Sequence, residues 1–213
     1  MIGESEEARR RILAMNVGIR ACRRCHAAGH LDEAVSLPTA HDPDSEAPLP
    51  RILLIGQAPS RRAMLTGRAF VGAGGDRLRE WLEAGGVPRA DFWRRIHFAA
   101  ITQCYPGRLP GAKGDRVPSP AEQALCRPWV DQMSELVRPR VVILVGLLAA
   151  KTFLGPIKSL SAVVGQTVER DGVLFIPLPH PSGVSRWHND PANVEAVARA
   201  MRTLRATIDA ERL

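Results

Sequence analysis

The segment Arg51–Leu82, RILLIGQAPSRRAMLTGRAFVGAGGDRLREWL, sets the architecture of the chain. Its apolar run Ile52-Leu53-Leu54-Ile55 stops abruptly at Gly56. A strand buried on both faces of a parallel sheet reads this way. The turn Gly56-Gln57-Ala58-Pro59-Ser60 follows at the strand's carboxyl end, where open α/β sheets bind their ligands. Further on, Gly67, Gly72, Gly74 and Gly75 surround a lone aromatic, Phe70. Glycine lets a backbone approach a flat ligand, and a phenylalanine ring can stack on one. An ordinary α/β loop with a core phenylalanine is the alternative. Asp76 reads as the N-cap of a helix carrying Leu78, Trp81 and Leu82.

Working outward, Arg95–Ile101 alternates as a second strand and delivers Cys104 at its carboxyl end. Tyr105–Pro120 is a loop of Pro, Gly and basic residues. Ser119-Pro120-Ala121-Glu122 is a helix start with an N-cap serine, a first-turn proline and a Glu three residues on. This helix carries Cys126 and is expected to be disturbed at Pro128. Arg140–Gly146 reads as a buried strand and Leu147–Leu154 as a short helix. Val163–Arg170 and Val173–Leu178 read as strands around an Asp171-Gly172 turn. The last strand empties into His180-Pro181-Ser182-Gly183-Val184-Ser185-Arg186-Trp187-His188-Asn189. A final helix starts near Asp190-Pro191, with Val194, Val197, Met201, Leu204 and Ile208 on one face. Upstream, Ser5–Ala21 is helical by the spacing of Ala8, Ile12, Met15 and Ile19, and Ala27–Pro50 is irregular. Strands alternating with helices predict an α/β fold with a central, mostly parallel sheet of four to five strands.

The chain of 213 residues, 45% of them hydrophobic, is long enough for one substantial core. Its formal net charge is +7, and arginine supplies most of its 29 basic residues. That balance points to an anionic partner, nucleic acid above all, unless it only reflects genome composition. The N-terminus alternates acids and bases without an apolar core, unlike a signal peptide. The longest apolar run, Val141–Ala150, is far short of the ~20 residues that span a bilayer. The expectation is a soluble, cytoplasmic protein.

Four cysteines are present: Cys22, Cys25, Cys104 and Cys126. Without signs of export, structural disulfides are disfavoured. Zinc ribbons carry two close pairs, whereas only Cys22 and Cys25 are close here. The spacing favours a [4Fe–4S] cluster stapling the N-terminal helix to the later loop and helix. A four-cysteine zinc site and free core cysteines are the alternatives.

From Cys22 to about Asn189 the sequence resembles the iron–sulfur branch of the uracil-DNA glycosylase superfamily, families 4 and 5. Gly56-Gln57-Ala58-Pro59-Ser60 is similar to its first motif. Gly67-Arg68-Ala69-Phe70-Val71-Gly72 resembles its uracil-stacking segment, and His180-Pro181-Ser182 its second catalytic motif. The four cysteines fall where that branch binds [4Fe–4S].

The resemblance implies one glycosylase-like domain over residues 1–213, with residues 1–50 packed through the cluster. It implies a monomer at the nucleoid, acting on uracil in single- or double-stranded DNA and on other deaminated bases. Hydrolysis of the N-glycosidic bond would leave an abasic site and initiate base excision repair. Phe70 would stack on the extruded base, and His180 would donate to uracil O2 as charge develops there. Gly56, Gln57 and Ala58 would hold the base edge or a water. Ser60 and Ser182 would contact phosphates; their alternative is turn capping. Arg186 would grip the strand and assist extrusion, and Trp187 either stacks on DNA or packs into the core.

Two positions depart from the family pattern. Gln57 and Ala58 stand where many relatives have a carboxylate, and Ala100 where an asparagine often reads the uracil edge. Gln57, Gln103 and Asn189 are the candidate substitutes for that asparagine, with backbone alone reading the base as the alternative. The departures keep open a non-catalytic protein that binds damaged or abasic DNA. An iron–sulfur electron carrier is a further alternative, which Phe70 and the His-Pro-Ser loop argue against.

Overall fold

The computed structural model describes residues 2–37, 49–112, 114–182 and 186–213, without the side chains of residues 2–5 and 186. Among the described residues five strands form one sheet in the order β2-β1-β3-β5-β4. They are β1 (Ile52–Gly56), β2 (His97–Ala100), β3 (Val141–Val145), β4 (Val168–Arg170) and β5 (Val173–Leu178). β1 pairs in parallel with β2 and β3, and β3 in parallel with β5; only the edge strand β4 is antiparallel. All residues of β1, β2 and β3 are buried, which is why these strands are nearly continuous apolar runs.

Strand alternation splits the core between the two faces of the sheet. Ile52, Leu54, Val141, Ile143, Val145, Ile176 and Leu178 pack with α4 (Ala73–Ala84) and α7 (Pro191–Glu211). Leu53, Ile55, Val142 and Leu144 pack on the other face with α1 (Ile2–Ala21), α5 (Pro120–Val137) and α6 (Leu147–Leu154). Ile12, Met15 and Ile19 are the buried stripe of α1. Three layers therefore place every β-to-α turn of the parallel strands on one edge of the molecule.

Several boundaries differ from the sequence reading. Two short helices, α2 (Arg24–Ala27) and α3 (Arg61–Thr66), fall where the sequence reading assigned no helix. α4 begins at Ala73 with Gly72 as its N-cap. Asp76 thus sits in the first turn, where a carboxylate suits the helix dipole. The stretch 163–170 is strand only over its last three residues. Pro128 lies inside α5 without ending it, on an exposed position where water can reach the carbonyl that lacks a donor. The predicted capping box is present: Ser119 Oγ accepts from Glu122 N–H, and Glu122 accepts from Ser119 N–H at 2.7 Å.

Among the described residues no helix is long and apolar enough to cross a membrane.

Candidate active site

A cavity of about 300 Å³ opens at the carboxyl ends of the parallel strands. The β1–α3 turn contributes Gly56, Ala58, Pro59 and Ser60; the β2 end contributes Ala99, Ala100 and Gln103. Phe70, Gly74 and Gly75 come from the glycine-rich segment, and His180, Pro181 and Ser182 follow β5. No aspartate or glutamate is among the described residues lining it.

Phe70 stands half-buried on one wall, its ring 6.1 Å from that of Phe98 between centroids. A Cβ at Gly56 would lie only 3.3 Å from the tip of that ring. A side chain at position 56 would therefore press the Phe70 ring back from the end of β1 by a few tenths of an ångström.

His180 sits at the mouth, with exposed surface but protein around much of its ring. The Ser182 backbone N–H donates to its Nδ1 at 3.3 Å. Nδ1 must then be an acceptor, so the neutral ring carries its proton on Nε2. Desolvation lowers its pKa first, and the nearby His188 adds to the shift; Asp115 opposes both. His188 also donates from Nε2 to the His180 carbonyl at 3.2 Å, and its ring packs 5.3 Å from Trp81. The sequence reading assigned no role to His188 or Asp115; both act through folded proximity that no local motif marks.

The other predicted residues separate. Ser182 lines the cavity, and so does Ser60, whose hydroxyl also caps α3 by accepting from Ala63 N–H at 3.1 Å. Gln57 does not line it: its amide donates to the Arg116 carbonyl at 3.4 Å. Asn189 is exposed in a short 3₁₀ turn and also lies off the cavity. Gln103 is buried and lines the cavity, with Nε2 donating to the Ala100 carbonyl at 3.0 Å. Trp187 packs against the core and donates to Ser161 Oγ at 2.9 Å, the packing alternative. The Arg186 side chain, like Gly183, Val184 and Ser185, lies outside the described residues.

On the far side of Gln103 all four cysteines line one small cavity, together with Arg23, Arg24 and Trp129. Cys22 and Cys25 come from the α1–α2 corner, Cys126 from α5, and Cys104 from a bridge to Ser36. Gln103 N–H donates to Cys126 Sγ at 3.2 Å. Burial, then the neighbouring thiols, push Cys104 up to about 12. Burial pushes Cys126 to about 11 against the Gln103 N–H, which favours the thiolate. Among the described residues no group of three or more His, Cys, Asp or Glu is arranged to hold a metal ion. The thiols are gathered around a shared cavity and not drawn onto a single point. Beside them, Arg116 and buried Glu122 pair through two contacts of 2.6 and 2.8 Å.

The sequence matches a known class. Residues 43–205 match the family model of the uracil DNA glycosylase superfamily, and the chain belongs to that superfamily. It is similar to a type-4 uracil-DNA glycosylase of Thermotoga maritima, 31% identical over 64% of this chain and 67% of that one. A type-4 enzyme of Archaeoglobus fulgidus is 29% identical over 78% and 79% of the two chains. A type-5 uracil-DNA glycosylase of Mycobacterium bovis is 32% identical over 64% of this chain and 56% of its own.

Proposed function

We propose that the protein is a uracil-DNA glycosylase that extrudes the base into the strand-end cavity and hydrolyses its N-glycosidic bond. One observation carries the reading: a single cavity is flanked by Phe70 and by a histidine whose hydrogen bonding leaves Nε2–H as a donor. Its superfamily membership and the type-4 and type-5 relatives support the same reaction.

In the reaction the C1′–N1 bond breaks and its electron pair leaves with the base. The growing negative charge spreads to uracil O2, which accepts from His180 Nε2–H. Water adds its oxygen to C1′, and its proton balances the departing uracil anion. A preorganised donor aimed at developing charge is typically worth about 3 kcal/mol or more. With no carboxylate among the described residues of the cavity wall, stabilising the leaving group is the main role assigned to the site. Backbone groups of Gly56, Gln57 and Ala58 hold the water or base edge; the Gln57 amide has no basic site to take a proton.

Gln103 reads the base edge in place of an asparagine at position 100. Its Nε2 must face the Ala100 carbonyl, because turning the amide would oppose two oxygens. A fixed amide discriminates keto–imide edges, as in uracil and hypoxanthine, from the amino edge of cytosine. Ser60 and Ser182 contact flanking phosphates, and Arg186, from sequence alone, grips the strand. The product is an abasic site, as base excision repair requires.

The four cysteines suit a [4Fe–4S] cluster. Four thiols lining one cavity and an N–H directed at Cys126 Sγ fit a thiolate-held cluster with a hydrogen-bonded sulfur. Ligation would displace the thiol protons that burial otherwise retains. Cys22, Cys25, Cys104 and Cys126 would hold the cluster as a staple between α1, the β2 end and α5.

The site assignment is tested by single-turnover excision from a uracil oligonucleotide. Phe70→Ala and His180→Ala should each slow excision well beyond tenfold while the fold is kept. Near-normal rates in both would place the chemistry elsewhere.

A further inference from the structure

Phe70 adopts a backbone conformation that phenylalanine rarely takes, with φ 53°. Among the described residues the other non-glycine positions at positive φ are Arg138 and Arg212, which cap helices, and Asp171, which turns a hairpin. Those are ordinary settings for left-handed backbone. Phe70 also lies in a turn, but turns that need positive φ favour Gly or Asn, and a bulky residue there needs surroundings that hold it.

The holding groups come from two elements. Arg79 of α4 donates from Nη1 to the Phe70 carbonyl at 3.0 Å. Trp93 donates from Nε1 to the adjacent Ala69 carbonyl at 3.1 Å. The Arg79 guanidinium lies 5.0 Å from the Trp93 ring centroid and 5.4 Å from that of Phe92. Its other arm meets Asp76 at 2.5 Å. Two rings and a carboxylate thus fix the guanidinium, and the fixed guanidinium fixes the carbonyl. The Phe70 oxygen is also pressed onto α4 so closely that a Cβ at Gly75 would lie 1.6 Å from it.

We infer that Arg79 and Trp93 form a positioning clamp that presents the Phe70 ring to the extruded base. The inference rests on reading the cavity as the base pocket. The clamp residues do not touch the base: neither lines the cavity. Their whole effect passes through Phe70, which separates the proposal from a general contribution to stability.

The test is a binding cycle, with folding checked by thermal melting. Two duplexes are used, one with a non-cleavable 2′-fluorinated deoxyuridine and one with a tetrahydrofuran abasic analogue. The wild-type protein should prefer the first. Arg79→Met should reduce that preference about fivefold or more, the scale of one lost base–aromatic stack, and leave abasic binding unchanged. Phe70→Ala should do the same, and the double variant should lose nothing further. If Arg79→Met does not fold, Trp93→Phe keeps the aromatic packing, removes the Ala69 donor and should show the same selective loss. A preference retained in the clamp variants, or losses that add in the double variant, would overturn the inference alone. A wild-type protein without any preference would overturn the base-pocket reading and the inference with it.

Discussion

The Ser182 backbone N–H points at Nδ1 of His180, 3.3 Å away, and only a ring unprotonated at Nδ1 can accept it. Two further contacts steady the loop. Arg77 reaches the Pro181 carbonyl at 3.5 Å, and His188 donates to the His180 carbonyl at 3.2 Å. Loop and electrostatics favour the same neutral donor.

Protonation of His180 at Nδ1 should break its contact with Ser182 N–H, misplace the Nε2–H donor and so slow excision, at a pH below that of an ordinary histidine. Desolvation and His188 lower its pKa, so the neutral ring persists under about 6.5, the ordinary value. The rate should stay flat above that pH and fall as pH drops through the lowered value. The stability the neutral ring contributes follows the same sign: present above the unfolded value, lost as pH falls through the folded one. A pH–rate profile of His180→Ala should lack this limb.

Gly75→Ala should disable the site without any change in its chemistry. The added Cβ would meet the Phe70 carbonyl oxygen at 1.6 Å, so backbone must move. A shift of about 1 Å in a positioned group costs roughly a hundredfold in rate. Single-turnover excision checks this, and Gly114→Ala is the control, since its Cβ would meet nothing within 4 Å and its φ is not in the left-handed region.

Much of this arrangement was legible in the sequence, because buried parallel strands are apolar runs and their carboxyl ends carry the turns. Ile52–Ile55 and Val141–Val145 announced both the sheet and the site edge. The helix start at Ser119 was readable because capping is local chemistry. The start of α4 was not: Asp76 looks like a cap, but Gly72 holds the position because the loop needs positive φ there. Among the three amides, only tertiary packing puts Gln103 on the cavity while turning Gln57 toward Arg116. His188, Arg79 and Trp93 work through contacts between distant segments, which periodicity cannot display.

Glu122 should anchor the α5 start against acid. Burial alone would raise its pKa, but Arg116 and the Ser119 contacts hold the carboxyl down at about 2. The stabilisation is present above the ordinary carboxylate range and is lost as pH falls through that range toward 2. Glu122→Gln should cost roughly 2–3 kcal/mol in urea unfolding at neutral pH, below the full value of a buried pair because Arg116 reaches solvent. That loss should shrink at low pH, where the wild-type carboxyl is itself protonated.

Purified protein should be brown, and iron and sulfide should be present together. Cys104→Ser should lose the visible absorption and melt at a lower temperature, because the staple between α1 and α5 is gone. Stoichiometric zinc without iron or sulfide would reject the cluster.

The most direct measurement is release of free base from DNA. Oligonucleotides carrying one uracil are incubated with the protein, the released base is identified by mass spectrometry, and the strand is treated with alkali. The account predicts free uracil in step with alkali-sensitive abasic sites, and neither product from a cytosine control. Tight binding to uracil or abasic DNA with no base released would contradict it and identify a non-catalytic damage-binding protein instead.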